Sequence, residues 1–543
     1  MKRRLLVSSL LLLWLVVPLL ASEQPRGELR MCLRSEPKTF HPLQVSDDAS
    51  ETVRYLTGGV LLRVNRKTQQ LEPELATGWE VEKGGRKITF TLRSGVYFSD
   101  GTPFSAEDVA YTIKQLMDPE IHSPTADSFH MGKGTVKTQV LAPLQVAILF
   151  PQPVAGIEAL FDQLAILSAR SPRKEFAVLG PFFMAEHKAG SYVLLKRNPN
   201  YWKKDASGRQ LPYLDSVRLE IQSNRDIEAL RFQRGELDVI NSLDGELYDR
   251  LSRTLPAAVR DLGPSLDSEQ LWFNQAPKSP VASHKLQWFR SQAFRRAISL
   301  AINREDLARI VYGSHARPAR GPVSPANQAW FNAKLPPLAH APAQATELLK
   351  NAGFRLNDGV LRDREGHAVE FSIVTNSGNK SRERMATMIQ QDLAQIGVKV
   401  NIVTLDFPSL IERFTQSFDY EACLLGMVNL ELDPNAQMSI WLSSGENHQW
   451  SPRQPAPETT WEAELDRLMQ AQAATTDQAT RKQHFDRVQE IVVEQSPFLY
   501  LINKSALAAV SPRVHGATPV PLRPETFWNI EWLSLGSAPQ KQH

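Results

Sequence analysis

Val369-Glu-Phe-Ser-Ile-Val-Thr-Asn-Ser377 opens the stretch that decides the fold. Val369, Phe371 and Ile373 alternate with their neighbours at the period of a strand. Met385, Met388, Ile389, Leu393 and Ile396 then keep helical spacing up to Gly397, and Val398, Val400 and Ile402 return to period two. This is a βαβ unit, which packs with parallel strands and a right-handed crossover. A short helical segment, Ser409 to Thr415, leads into a third strand, Tyr420 to Gly426. In such sheets ligands settle beyond the carboxyl ends of the strands. Those ends are Thr375-Asn376-Ser377, Leu405-Asp406-Phe407 and Gly426 through Asp433. Asn376, Met427 and Asn429 therefore enter as candidate lining residues by position, with ordinary loop decoration as the competing reading.

Further out the pattern stays mixed α/β. Trp79 to Arg93 reads as a hairpin, with Gly84-Gly85 supplying the positive-φ turn. Ser105 is a good N-cap with Asp108 at the N3 position, opening a helix that carries Val109, Ile113 and Leu116 and stops at Asp118-Pro119. Phe294, Ala297, Ile298 and Ala301 mark another buried helical face. Asn303 caps the next helix, which carries Leu307, Ile310 and Val311 and ends at Gly313.

The 543 residues suffice for two or three packed lobes, and 42% hydrophobic content excludes a disordered chain. Formal charge is 62 − 59 = +3, and Lys2, Arg3 and Arg4 supply all of it. Nucleic acid and anionic bilayers call for a basic surface, so neither is expected as partner. Those three residues precede an apolar run from Leu5 to Leu20 and the small pair Ala21-Ser22, the pattern of a cleaved signal peptide over residues 1–22. No lipid-attachment cysteine follows, so a soluble periplasmic product is expected. The two cysteines, Cys32 and Cys423, are read as unpaired thiols.

Searches for catalysis give nothing that holds. The sequence has no GxGxxG, P-loop, HExxH or GxSxG, and no histidine pair at metal-ligand spacing on a helix. Ser171-Pro-Arg-Lys174 matches SxxK, but its companion elements are missing and Pro172 would sit in the nucleophile's helix. Glu107-Asp108 and Glu305-Asp306 lie at helix starts, where carboxylates favour the macrodipole. No enzyme, cofactor or metal site is expected.

Leu71-Glu-Pro-Glu-Leu-Ala-Thr-Gly-Trp79, with the hairpin and Leu92-Arg-Ser-Gly-Val-Tyr-Phe-Ser-Asp-Gly101, closely resembles the signature of family 5 periplasmic solute-binding proteins of ABC importers. So do Ser105-Ala-Glu-Asp-Val109, Arg197-Asn-Pro-Asn-Tyr-Trp202, Arg234-Gly-Glu-Leu-Asp238 and Phe294-Arg-Arg-Ala-Ile-Ser-Leu-Ala-Ile-Asn-Arg304. The likeness runs in order from about Leu29 to about Pro512. It implies a two-lobed α/β clamp of the periplasmic-binding-protein type with an inserted subdomain and a hinge between lobes. Lobe I would comprise 23–63, 180–275 and 498–543, the insertion 64–179, and lobe II 276–497. The implied role is a monomer that captures peptides or peptide-like solutes and delivers them to an inner-membrane permease. The same fold with a metal chelate, an opine or an oligosaccharide is the alternative.

One slot departs from the family. Its peptide binders carry an aspartate four residues after the third strand's glycine, pairing with the peptide's α-amino group. Here the loop reads Gly426-Met-Val-Asn-Leu-Glu-Leu-Asp-Pro434, and that slot is Leu430. A desolvated ammonium without a carboxylate is costly, so Glu431 next door is the expected surrogate anchor, the alternative being a ligand with no free amine there, a blocked or cyclic peptide or a non-peptide solute. Asn274, just before the lobe crossing, is a candidate for bonding ligand backbone, with a hinge-stabilising amide as the other reading. Trp441 is a candidate pocket wall, against the commoner core role. Asp433 resembles the family's turn residue and reads as structural.

Overall fold

A computed structural model describes residues 27–82, 84–129, 134–171, 176–427 and 432–536. The expected leader and the candidates Asn429, Leu430 and Glu431 lie outside the described residues.

The βαβ unit is present. Glu370–Asn376 and Lys399–Leu405 run parallel, Phe371 opposite Val400 and Ile373 opposite Ile402. Between them lies the helix Lys380–Ala394, started by the Asn379 side chain, which accepts from the Arg382 amide. Its Met385, Ala386, Ile389 and Leu393 are buried against the sheet. The short helix begins at Phe407, earlier than the apolar spacing suggests, because Asp406 caps it and Pro408 sits in its first turn. The third strand is Ala422–Met427, shifted toward the loop from the expected Tyr420–Gly426, and it runs parallel to the first.

These are three strands of a seven-stranded sheet. Its order is Val239–Ile240, Phe498–Val510, Val259–Phe273, Ala422–Met427, Glu370–Asn376 and Lys399–Leu405, with Ala316–Pro318 also on the edge of Phe498–Val510. Val259–Phe273 and Phe498–Val510 are long antiparallel partners. At one end Val259, Leu507 and Ala509 pack with Leu237, Ile240, Leu247 and Leu251. At the other, Leu271, Phe273, Leu499 and Leu501 join the core around the βαβ helix. The pairing shifts register between Asp261 and Pro264, again before Ser268, and once more between Glu269 and Gln270. The passage from one core to the next thus lies inside these two strands, ahead of residue 275 and beyond residue 498.

Two further sheets, of four strands each, belong to the frame. Glu28–Leu33, Ser216–Ile221, Tyr192–Arg197 and Phe182–Lys188 form one. Ala76–Val81, Lys87–Leu92, Gln145–Leu149 and Lys137–Ala142 form the other, with its own core of residues from Leu43 to Leu179. The hairpin turns where expected, Gly84 and Gly85 having φ of 108° and 66°. The helix Ala106–Leu116 starts on the reciprocal Ser105–Asp108 capping box.

One helical reading is corrected. Asn303 does cap its helix, but Leu307–Val311 is a π turn. Its i→i+5 bonding widens the spiral, so Leu307 and Val311 stay buried while Ile310 turns outward and is 44% exposed. Cys32 and Cys423 are both free, Cys423 fully buried. Among the described residues no helix is long and apolar enough to cross a membrane.

Candidate functional site

The sheet's middle strands converge on one region at the carboxyl end of Ala422–Met427. Cross-strand register arranges the side chains there in three rows on a single face, since directly paired residues point the same way. The deepest row is Phe498, Trp272 and Cys423, all apolar and buried in a core with Phe414, Trp441 and Phe485. The next is Tyr500, Gln270 and Leu425. The outermost is Asn503, Ser268 and Met427, with Met427 half-buried at the lip. Polarity therefore rises toward the strand ends.

The middle row is unusual. Gln270 is 1% exposed and Tyr500 3%. The Gln270 Nε2 and Oε1 atoms and the Tyr500 hydroxyl are buried without a hydrogen-bond partner. Burial pushes the Tyr500 phenol well above its usual range, so it is a neutral hydroxyl.

The opposite face of the same strands carries a closed ionic knot. Glu269 is fully buried, and Arg382 Nε donates to its Oε2 at 2.8 Å while Lys504 Nζ lies 2.6 Å from its Oε1. Arg382 Nη1 donates onward to Asn376 Oδ1 at 2.8 Å. Gly426 permits this closeness: a Cβ there would lie 2.5 Å from Arg382 Nη2 and 2.9 Å from both Glu269 Oε2 and the Ser268 carbonyl oxygen.

The strand Ala422–Met427 has unequal edges. Its antiparallel pairing continues to Met427 opposite Ser268. Its parallel pairing runs only from Ile373 opposite Ala422 to Val374 opposite Cys423. Leu425 to Met427 are thus laddered on one side, and the other side faces the strand ends.

Two contacts join this region to the sheet of residues 76–149 and its flanks. Gln69 donates through Nε2 to the Ala326 carbonyl at 2.5 Å and accepts from the Gln328 amide at 3.0 Å. Asn435 Nδ2 donates to the Ala155 carbonyl at 2.6 Å, and the Ala155 amide to the Ala473 carbonyl at 3.2 Å. Asn327 Nδ2 donates to the Leu432 carbonyl, tying the 324–332 loop to the strand-end loop.

The sequence candidates fall unevenly. Met427 and Asn376 stand at the strand ends, though Asn376 is engaged by Arg382. Asn274 is fully buried: its Nδ2 donates to Phe418, Tyr420 and Ser279 oxygens, and its Oδ1 accepts from the Ala276 amide. Both ends of the Asn274 amide are thus engaged within the chain. Trp441 is 3% exposed and donates to Gln437 Oε1, a core residue. Asp433 accepts two bonds from Arg481 and caps the turn Pro434–Gln437. Gln270, Tyr500, Gln69 and Asn435 were not expected. The one signal in the chain was Gln270 interrupting the apolar side of its strand two residues before Trp272.

The family model of bacterial extracellular solute-binding proteins, family 5, middle region, matches residues 70–449. The oligopeptide-binding protein AppA of Bacillus subtilis (strain 168) is 25% identical over 540 residues, spanning 94% of this chain and 92% of the relative. Di/tripeptide-binding protein 2 of Pseudomonas aeruginosa (strain UCBPP-PA14) is 25% identical over 562 residues, spanning 96% and 98%. The ABC transporter substrate-binding protein CtaP of Listeria monocytogenes is a solved structure with TM-score 0.78 and 22% identity, covering 94% of this chain and 100% of that one. AppA of Bacillus subtilis in complex with a nonapeptide has TM-score 0.70 and 23% identity, covering 95% and 100%. This is the α/β binding-protein fold that the resemblance implied. With the match running across most of its length, the chain belongs to the bacterial extracellular solute-binding proteins of family 5.

Proposed function

We propose that the chain captures peptides or peptide-like solutes between two lobes and hands them, chemically unchanged, to the permease of an ABC importer. The observation that carries this reading is the half-laddered strand at Leu425 to Met427. An extended peptide adds to such an edge through main-chain hydrogen bonds, which every sequence can make. The relatives described as oligopeptide- and di/tripeptide-binding support it.

In this reading lobe I holds 23–63 and 180 onward, with 64–179 inserted, and lobe II the middle of the chain to 497, but the two crossings lie within the long strands, between Asp261 and Ser268 and between Asn503 and Leu507, rather than at 275 and 498. The register shifts between Asp261 and Ser268 are where the connecting strands flex. Export by the leader 1–22, residence in the periplasm without a lipid anchor, and action as a monomer belong to the same proposal. Glu431 serves as the amine anchor in place of the family's aspartate, whose slot is Leu430. Binding of a free-amine peptide should then fall far more than that of its N-acetylated form in Glu431→Ala, and equal losses would remove this assignment.

Native mass spectrometry of ligand retained through purification tests the whole reading. A mixture of short peptides is expected. A single metal chelate, opine or oligosaccharide would replace it, and turnover of the bound solute would end it.

A further inference from the structure

The middle row, Tyr500–Gln270–Leu425, contains the one amide among the described residues whose two ends are both buried and unpartnered. The Tyr500 hydroxyl is likewise buried and unpartnered on the strand directly beside it. Cross-strand neighbours on one face are close enough to bond, yet these two do not bond each other. Buried polar groups are nearly always paired, so a pair left open one row below the strand ends marks a place where a ligand completes the structure. The row beneath it, Phe498–Trp272–Cys423, is wholly apolar and closes the floor.

We propose that Gln270 and Tyr500 form a receptor for one neutral, hydrogen-bonding side chain of the bound peptide, of the carboxamide class. The inference rests on the peptide reading above. Gln270 offers two N–H donors and one carbonyl acceptor, and Tyr500 a hydroxyl that does both. A carboxamide presents the complementary set. The charged residues of this neighbourhood, Glu269, Arg382 and Lys504, are engaged with one another on the opposite face of the sheet, with one net positive charge among them. A carboxylate or ammonium entering the middle row would therefore be desolvated without a counter-ion and is disfavoured. An aliphatic side chain would leave the three polar atoms unpaired and is disfavoured for that reason.

Calorimetric titration with trialanine peptides tests this, replacing each position in turn by glutamine, leucine or glutamate. At one position the wild type should prefer glutamine over both leucine and glutamate by about tenfold or more. Gln270→Leu should bring the glutamine-to-leucine ratio at that position to within about twofold. Tyr500→Phe, which removes one hydroxyl and keeps the ring, should lower the same ratio and reports independently should the first variant fold poorly. Wild type without a glutamine preference at any position overturns the proposal, as does a preference that both variants retain. Wild type that binds no peptide overturns the peptide reading as well, which separates the two failures.

Discussion

Glu269 and Gln270 are consecutive on one strand, and both are sealed from water. They face opposite sides of the sheet. Glu269 meets two cations and is saturated by them. Gln270 meets no partner at either end of its amide. The difference separates two uses of buried polarity: one fixes the end of the sheet permanently, and the other waits for a molecule that arrives from outside. Depth of burial does not tell them apart. Completeness of pairing does.

Substitution by leucine should expose the contrast. Glu269→Leu leaves Arg382, whose side chain is 9% exposed, and Lys504 facing one another without their carboxylate. Breaking a buried pair this way costs about 3–5 kcal/mol. Gln270→Leu removes unsatisfied groups, and its stability should lie within about 1 kcal/mol of wild type or above it. Urea midpoints at fixed pH measure both, and equal losses would erase the distinction.

A second pair, Glu525 and Glu462, extends the comparison to pH. Both are buried. Burial dominates at Glu525, and with one close bond from Asn241 and Arg523 at 3.7 Å its carboxyl is pushed up to about 7. At Glu462 burial also opposes charge, but His448 Nε2 at 3.6 Å and hydrogen bonds from Trp450, Gln454 and Thr459 prevail and hold it at about 2. The signs are opposite. Glu525 keeps its proton in the folded state, so the stability it contributes is present below pH 4.5 and is lost as pH rises toward 7. Glu462 contributes above pH 4.5 and loses its contribution as pH falls toward 2. Each displacement from 4.5 corresponds to about 3 kcal/mol. Urea midpoints against pH should flatten between 4.5 and 7 in Glu525→Gln and between 2 and 4.5 in Glu462→Gln. Unchanged slopes would sink the assignment.

How much of this was legible in the sequence depended on the range of the interaction. The βαβ unit from Glu370 to Leu405 follows from apolar periods, and the Ser105–Asp108 box from residues three apart. Ile310 was misplaced because a π turn leaves no period in so short a segment. Position alone makes Asn274 and Trp441 candidates, and the chain does not reveal that backbone carbonyls of Phe418 and Tyr420, and Gln437, engage their side-chain donors. The open pair at Gln270 and Tyr500 leaves a single trace in the sequence, an amide on the apolar side of its strand. Its meaning lies in register between strands from distant parts of the chain, and in what each residue lacks.

Gly426→Ala tests how tightly the saturated side is built. Its new methyl would press on the Arg382 guanidinium, which can shift, and on the Ser268 carbonyl, which cannot. Overpacking of this kind costs about 1–3 kcal/mol. The damage should appear in the urea midpoint, accompanied by weaker retention of ligand because Met427 follows directly. A neutral midpoint would mean that the knot has slack.

Gln69 and Asn435 define a third class, polar groups that bond across the gap between the proposed lobes, Asn435 while its Oδ1 also accepts from Gln472 on its own side. Gln69 holds a left-handed backbone, φ 59°, while its amide grips both the Ala326 carbonyl and the Gln328 amide. Asn435 reaches the Ala155 carbonyl. These bonds must break when the proposed clamp opens, and water then replaces them, so each favours closure by about 1 kcal/mol, the net worth of an exposed hydrogen bond. Gln69→Ala and Asn435→Ala should each speed ligand release about fivefold, together about 25-fold, with urea midpoints of the free protein little changed. Stopped-flow displacement measures the rates. If association slows instead while release stays the same, the two contacts guide encounter rather than hold the closed state. In that case polar groups at the gap belong with Gln270, as groups that meet the ligand, and the third class disappears.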